Sequence, residues 1–169
     1  VEKAIKNLKD KKALKPGVLY TLKDKSLAAL IRPCGYYNIK AKRLKSFLSY
    51  LFNKHSGKIS SLRQLPLLKL REELLSVNGI GPETADSIIL YAAEKPIFVV
   101  DAYTKRVMEC LSIIKANSGY DDIQSLFMQN LPKSKRLFNE YHALIVEHGK
   151  RICKAKPLCN ECILRAIKD

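Results

Sequence analysis

The chain has no apolar run approaching the roughly 20 residues that a membrane-spanning helix requires, and no secretory leader pattern is visible in it. It contains no internal repeat, no low-complexity tract and no long linker, which excludes solenoid and disordered-tail readings. No apolar–polar alternation recurs along it, so a sheet has no strands to be built from. Acidic residues are scarce, at 16 Asp plus Glu against 31 Lys plus Arg. The chain begins with Val1 instead of Met.

Apolar residues make up 47% of the 169 positions, enough for one sizeable core or two small lobes. The formal charge of +15 and an isoelectric point near 9.7 favour a polyanionic partner, because each Lys or Arg that meets a phosphate releases a counterion. A basic chain that is merely soluble is the alternative. The bases are interspersed over Lys3 to Lys25, Asn38 to Lys45, Lys133 to Arg136 and Lys150 to Lys156, as on a binding face or a solvated surface and not as in a disordered arm. The five cysteines are Cys34, Cys110, Cys153, Cys159 and Cys162. An odd number without a leader argues for reduced thiols and, in the last three, for a metal site.

Nearly every periodic segment follows a 3.6-residue repeat. Helices are expected over Val1 to Leu8, Lys23 to Ile31 and Asn38 to Phe52. The last of these places Ile39, Leu44, Phe47, Leu48 and Leu51 on one face. Ser60 and Ser61 lead into the turn at Leu62 to Leu65. Leu67 to Val77 forms a further helix that Gly79 stops as a left-handed cap, and Pro82 then opens one running from Glu83 to Ala93. After the isolated apolar run Ile97 to Val100, Asp101 opens Ala102 to Leu111. Asp121 or Asp122 starts Ile123 to Asn130, and Lys135 to His148 ends at Gly149. The predicted architecture is all-α, a two-lobed helical bundle with a C-terminal cysteine loop over residues 153–162. One lobe spans residues 23–112; residues 1–22 and 113–169 make the other.

Two sites stand out. In Asn78-Gly-Ile-Gly-Pro-Glu-Thr84, two glycines flanking one apolar residue let the backbone turn sharply and approach another chain. The helix that follows offers free N–H groups and a positive dipole end to a phosphate. An ordinary αα-hairpin is the competing reading. Asp101 follows a run that would desolvate it. A buried carboxylate there could stabilise a cationic sugar, as in glycoside hydrolysis, or could simply cap its helix.

The segment from Val77 to Asp86, taken with Phe98 to Asp101, resembles the helix-hairpin-helix and Gly/Pro-rich, Asp-containing signature of the endonuclease III superfamily of DNA glycosylases. The similarity extends upstream through Ile31 to Ala41 and downstream from His148 to the cysteine tail, covering most of the chain from about Lys25 on. The family's first helix and the glutamine-rich wall of its base pocket have no counterpart in it. The resemblance implies an enzyme that extrudes a damaged base from double-stranded DNA and cleaves its N-glycosidic bond. Asp101 would be the catalytic carboxylate, with Asn78, Gly79, Ile80, Gly81, Pro82, Thr84 and Lys105 on the DNA. A monovalent cation would sit on the carbonyls of Leu75, Val77 and Ile80. Bifunctional members carry a lysine where this chain has Glu83, and a carboxylate cannot form the Schiff base that lyase chemistry needs. Glu83 therefore points to a monofunctional enzyme, closest to the branch that excises alkylated purines such as 3-methyladenine. A same-fold enzyme for oxidised pyrimidines or mismatches and a non-catalytic DNA-binding fragment are the alternatives. Tyr36, Tyr37 and Tyr103 are candidates to stack on bases or to sit half-buried in the core.

Cys153, Cys159 and Cys162 resemble the family's iron–sulfur loop with one ligand short, Lys168 standing where the fourth cysteine is expected. A 4Fe–4S cluster with an outside ligand, zinc with another donor, and a metal-free loop all remain open. A monomer located in the cytoplasm at the nucleoid, with no membrane contact, is expected.

Overall fold

The computed structural model describes residues 1–167, and Lys168, invoked above as the replaced ligand, lies outside them. The described residues contain helices and turns and no strand, as the 3.6-residue periodicity predicts. The chain divides into two compact units, Val1–Gly81 and Pro82–Asp169. This division falls inside the glycine turn, at a different place from the lobes drawn on the sequence.

The first unit holds α1 (Glu2–Asp10), α2 (Pro16–Thr21), α3 (Asp24–Leu30), α4 (Tyr37–His55) and α5 (Leu67–Leu75). Ala4 and Leu8 of α1 join Leu19, Leu27, Ala28, Ile31, Ala41 and Leu48 in one apolar cluster. Asn7 Nδ2 donates to the Leu30 carbonyl at 2.9 Å, so residues 1–22 are built into the α3–α4 core. The short helix α2 lies where the sequence analysis places no element; Pro16 stands at its start, a position that suits proline. Ile39 is a second correction. It is exposed, because α4 buries the stripe of Ala41, Leu48 and Leu51 instead.

The second unit holds α6 (Pro82–Ser87), a wide π-turn (Ile88–Ala92), α7 (Ala102–Cys110), α8 (Tyr120–Asn130) and α9 (Lys135–Arg151). Its core is aromatic: Phe98 stacks on Phe127 with centroids 3.8 Å apart and meets Phe138 edge-on at 5.7 Å. Gly149 does not end α9, which runs on to Arg151. The glycine is there for space, since a Cβ would lie 2.8 Å from the Tyr103 ring. The helix ends instead where Arg106 of α7 donates to the carbonyls of Gly149 (2.7 Å) and Cys153 (2.6 Å). No helix among the described residues is long and apolar enough to cross a membrane.

Candidate active site

Ile97, Phe98, Val99 and Val100 are all buried, yet they pair with no strand. Buried backbone polar groups need partners, and α8 supplies them. Gln124 Nε2 donates to the Phe98 carbonyl at 2.6 Å, and the Val100 N–H donates to the Tyr120 hydroxyl at 3.4 Å. The same two side chains, one turn apart on α8, donate to Oδ2 of the fully buried Asp86, at 2.9 Å from Tyr120 and 2.7 Å from Gln124. An apolar segment is thereby locked in extended form and delivers Asp101 to the start of α7.

Asp101 caps α7 as its position predicts. Its Oδ1 accepts from the Thr104 N–H at 2.7 Å and from Thr104 Oγ1 at 2.9 Å. That cap uses one oxygen. The other, Oδ2, faces His142 Nε2 of α9 at 3.5 Å, with the two side chains only 14% and 13% exposed. On its far side, His142 Nδ1 lies 2.6 Å from the Tyr91 hydroxyl of the π-turn. His142 Nε2 is buried and makes no hydrogen bond, since 3.5 Å is an ion-pair separation and longer than a normal N–H···O bond.

The environments of two carboxyls diverge. Burial pushes Asp101 up, but His142 and the two Thr104 donors outweigh it and hold the carboxyl below its ordinary value. Glu83, in the first turn of α6, is pushed above its ordinary value by partial desolvation and then by the negative charge of Asp101, with His142 opposing. Burial and Asp101 also raise the Tyr91 phenol. Sequence reasoning missed His142 and Tyr91. Each sits on a helical face where a half-buried core residue is the ordinary reading, and nothing local marks either as a neighbour of Asp101.

In the first unit, the turn after α5 takes the shape the glycines predict. Gly79 adopts φ +85°, and a Cβ there would also lie 2.3 Å from Arg43 Cγ of α4, so both backbone and space demand glycine. Ile80 is buried, its N–H donating to the Val77 carbonyl at 3.0 Å, while Asn78 and Gly81 are exposed. In the second unit Pro82, Glu83 and Thr84 are exposed along the first turn of α6. Lys105 Nζ reaches the Ser118 carbonyl at 3.2 Å. Tyr36 is 84% exposed. Tyr37 and Tyr103 are half-buried, Tyr103 with Arg106 5.1 Å from its ring.

The three tail cysteines do not converge. Cys153 is buried, where Cys110 of α7 and Arg106 act on its thiol; burial raises it first, then Cys110. Cys162 Sγ lies 3.5 Å from His148 Nε2, and Cys159 is exposed. Among the described residues no three Cys, His, Asp or Glu side chains are grouped to hold a metal. The described residues do not gather the four thiolates that a 4Fe–4S cluster takes, and Cys162 with His148 supplies two of the four donors that structural zinc takes. A groove of about 700 Å³ runs along α7, α8 and α9, lined by Val107, Leu111, Phe127, Leu144 and Ile152. Asp101, Glu83 and His142 are not part of it, so its size does not make it the reaction site.

Residues 1–133 match the model of the HhH-GPD superfamily base excision DNA repair protein. The chain is 45% identical over 166 residues to a candidate DNA repair glycosylase of Methanocaldococcus jannaschii, covering 98% of this chain and 76% of that protein. It is 32% identical to Endonuclease III of Sulfolobus acidocaldarius, covering 80% of this chain and 58% of the relative. Among solved structures, a non-covalent Endonuclease III–DNA complex superposes with a TM-score of 0.81 at 25% identity, over 98% of this chain and 72% of that one. A 3-methyladenine DNA glycosylase of H. pylori bound to 1,N6-ethenoadenine superposes with a TM-score of 0.74 at 28% identity, over 88% and 76%.

Proposed function

The chain belongs to the HhH-GPD superfamily of base excision DNA repair proteins, and from that premise we propose that it is a monofunctional DNA glycosylase for alkylated purines. The observation that carries this reading is Asp101: one carboxylate oxygen is consumed by Thr104 and the other is left for chemistry. A nucleotide flipped from the duplex presents its C1′ to Oδ2. The C1′–N bond breaks with its electron pair passing to the base, and the carboxylate stabilises the positive charge left on the sugar. Water oxygen then bonds to C1′ and its proton is taken up at the carboxylate. The products are a free base and an abasic site. An alkylated purine cation needs no proton to depart, because the electron pair neutralises it.

Glu83 lines the base side of the site. Two carboxyls pushed in opposite directions match a division of labour, with Asp101 as the carboxylate that meets the sugar cation. Glu83 has no amine to form an imine, so strand cleavage by elimination has no nucleophile. The similarity to a 3-methyladenine glycosylase supports the substrate class. Asn78 to Thr84 would hold the phosphate backbone through N–H groups, with Lys105 also on the DNA, and the carbonyls of Leu75, Val77 and Ile80 would receive a monovalent cation. The partner is double-stranded DNA with a damaged base, bound by a monomer. No step runs through a cluster, and the purified chain is expected to hold well under four irons on iron and sulfide analysis. A full complement of both would overturn that expectation.

The test is a panel of duplexes carrying one lesion each: an alkylated purine, an ethenoadenine, an oxidised pyrimidine or a mismatch. Alkylpurine release is expected, with strand breaks appearing only after alkali and no borohydride-trapped adduct. Breaks without alkali contradict the monofunctional assignment. Preferred release of an oxidised pyrimidine or mismatched base moves the substrate class, and binding without any release leaves a DNA-binding fragment.

A further inference from the structure

We propose that His142 is a positioning residue that keeps Asp101 a carboxylate with Oδ2 presented for reaction, and that Tyr91 fixes the imidazole in the orientation this requires. The inference rests on the assignment of Asp101 as the group that stabilises the sugar cation.

Three elements meet here, the π-turn, the start of α7 and the middle of α9. Oδ1 of Asp101 already accepts two hydrogen bonds from Thr104, so only Oδ2 is free to respond to a neighbour. The neighbour is His142 Nε2 at 3.5 Å, buried and otherwise unpartnered. A buried nitrogen without a partner is costly unless something uses it. A carboxylate can only accept, so the nitrogen facing it carries the proton. Tyr91, 2.6 Å from Nδ1, can then donate its hydroxyl proton to the remaining lone pair. Both contacts are met when a hydrogen sits on Nε2 and Nδ1 accepts from the phenol. Closing the 3.5 Å gap to hydrogen-bond length takes a movement under an ångström, as happens when apo sites tighten around substrate.

The residue type matters. The groups facing Asp101 are Glu83 from α6, Tyr91 from the π-turn, Thr104 from α7 and His142 from α9. The charge of Asp101 favours protonation of Glu83, and His142 works against that while it favours the charged form of Asp101. A lysine or arginine in this place would also hold the carboxylate, but its fixed positive charge would cancel the field that the sugar cation needs. An imidazole donates through Nε2 and, unlike either of them, accepts from Tyr91 on its other nitrogen.

The experiment follows single-turnover base release against pH for wild type, His142→Ala, His142→Gln and Tyr91→Phe, together with affinity for a duplex holding an uncleavable abasic analogue. Removing a donor that favours the charged form raises the Asp101 pKa, so the acid limb of the profile should move to higher pH by about one unit. Base release near the wild-type limb should fall about tenfold, with duplex affinity within about threefold. The Gln variant, which keeps an N–H donor, should restore most of the loss, and Tyr91→Phe should give a smaller shift in the same direction. An unmoved acid limb in all three variants, a loss confined to melting temperature, a Gln variant no better than Ala, or a changed lesion preference at an unchanged limb overturns the proposal. If His142→Ala does not fold, the Gln and Phe variants decide. An active Asp101→Asn variant would remove the underlying assignment, whereas an inactive one with an unmoved limb in His142→Ala would remove the histidine proposal alone.

Discussion

Asp101→Asn should slow base release about a thousandfold, the scale of losing a key charge-stabilising group, while leaving the protein folded and its DNA affinity within a few fold. The substitution is chosen because it separates the two roles of this side chain. Asparagine is as good an N-cap as aspartate, and its carbonyl oxygen can still accept from the Thr104 N–H and hydroxyl that bond Oδ1. What it loses is the charge on the oxygen that faces His142. A side chain that only caps α7 would tolerate the change. Single-turnover release from an alkylpurine duplex, read beside the melting temperature, distinguishes the outcomes: a wild-type rate at a wild-type melting temperature makes Asp101 a helix cap and nothing more.

The largest stability effect is expected at Asp86, which touches no substrate in this account. Asp86→Ala removes a fully buried acceptor that two side chains share, so the Tyr120 hydroxyl and Gln124 Nε2 each lose a hydrogen bond to a carboxylate. Each such loss costs about 1–3 kcal/mol, so a total near 3 kcal/mol is expected, lowering the melting temperature by roughly 6–12 °C for a chain of this size. Gln124 and Tyr120 also hold the backbone of Phe98 and Val100. Base release should therefore weaken before unfolding is complete, because the segment that delivers Asp101 loses its fixed partners. Asp86→Asn keeps an acceptor oxygen and should recover much of the loss. Thermal melts followed by circular dichroism, with release assayed below each transition, check this; an Asp86→Ala variant as stable as wild type would show that the α8 latch is not needed.

Helical class and most helix positions were legible because the apolar periodicity is strong and the connections are short. The errors have physical causes. Gly149 reads as a helix stop under the C-cap rule, yet it serves to admit the Tyr103 ring, a contact 46 residues away in sequence that local pattern does not carry. The stretch from Glu83 to Ala93 reads as one α-helix but widens into a π-turn over Ile88–Ala92, the turn that carries Tyr91 beside His142. Cys153, Cys159 and Cys162 look like one ligand set by spacing, but Cys153 lies under the influence of Cys110 instead of its tail neighbours.

The order of residues alone specified an all-helical chain, a positive-φ glycine at 79, an excess of basic charge and an acidic helix cap at 101. All of these are local chemistry, written in adjacent side chains and backbone preferences. Packing supplied the rest. His142 and Tyr91 stand 51 residues apart, and nothing near either one in the chain names the other or Asp101. They meet because α7, α9 and the π-turn close around a shared core. That closure chose which carboxylate oxygen stays free and left a buried imidazole nitrogen facing it.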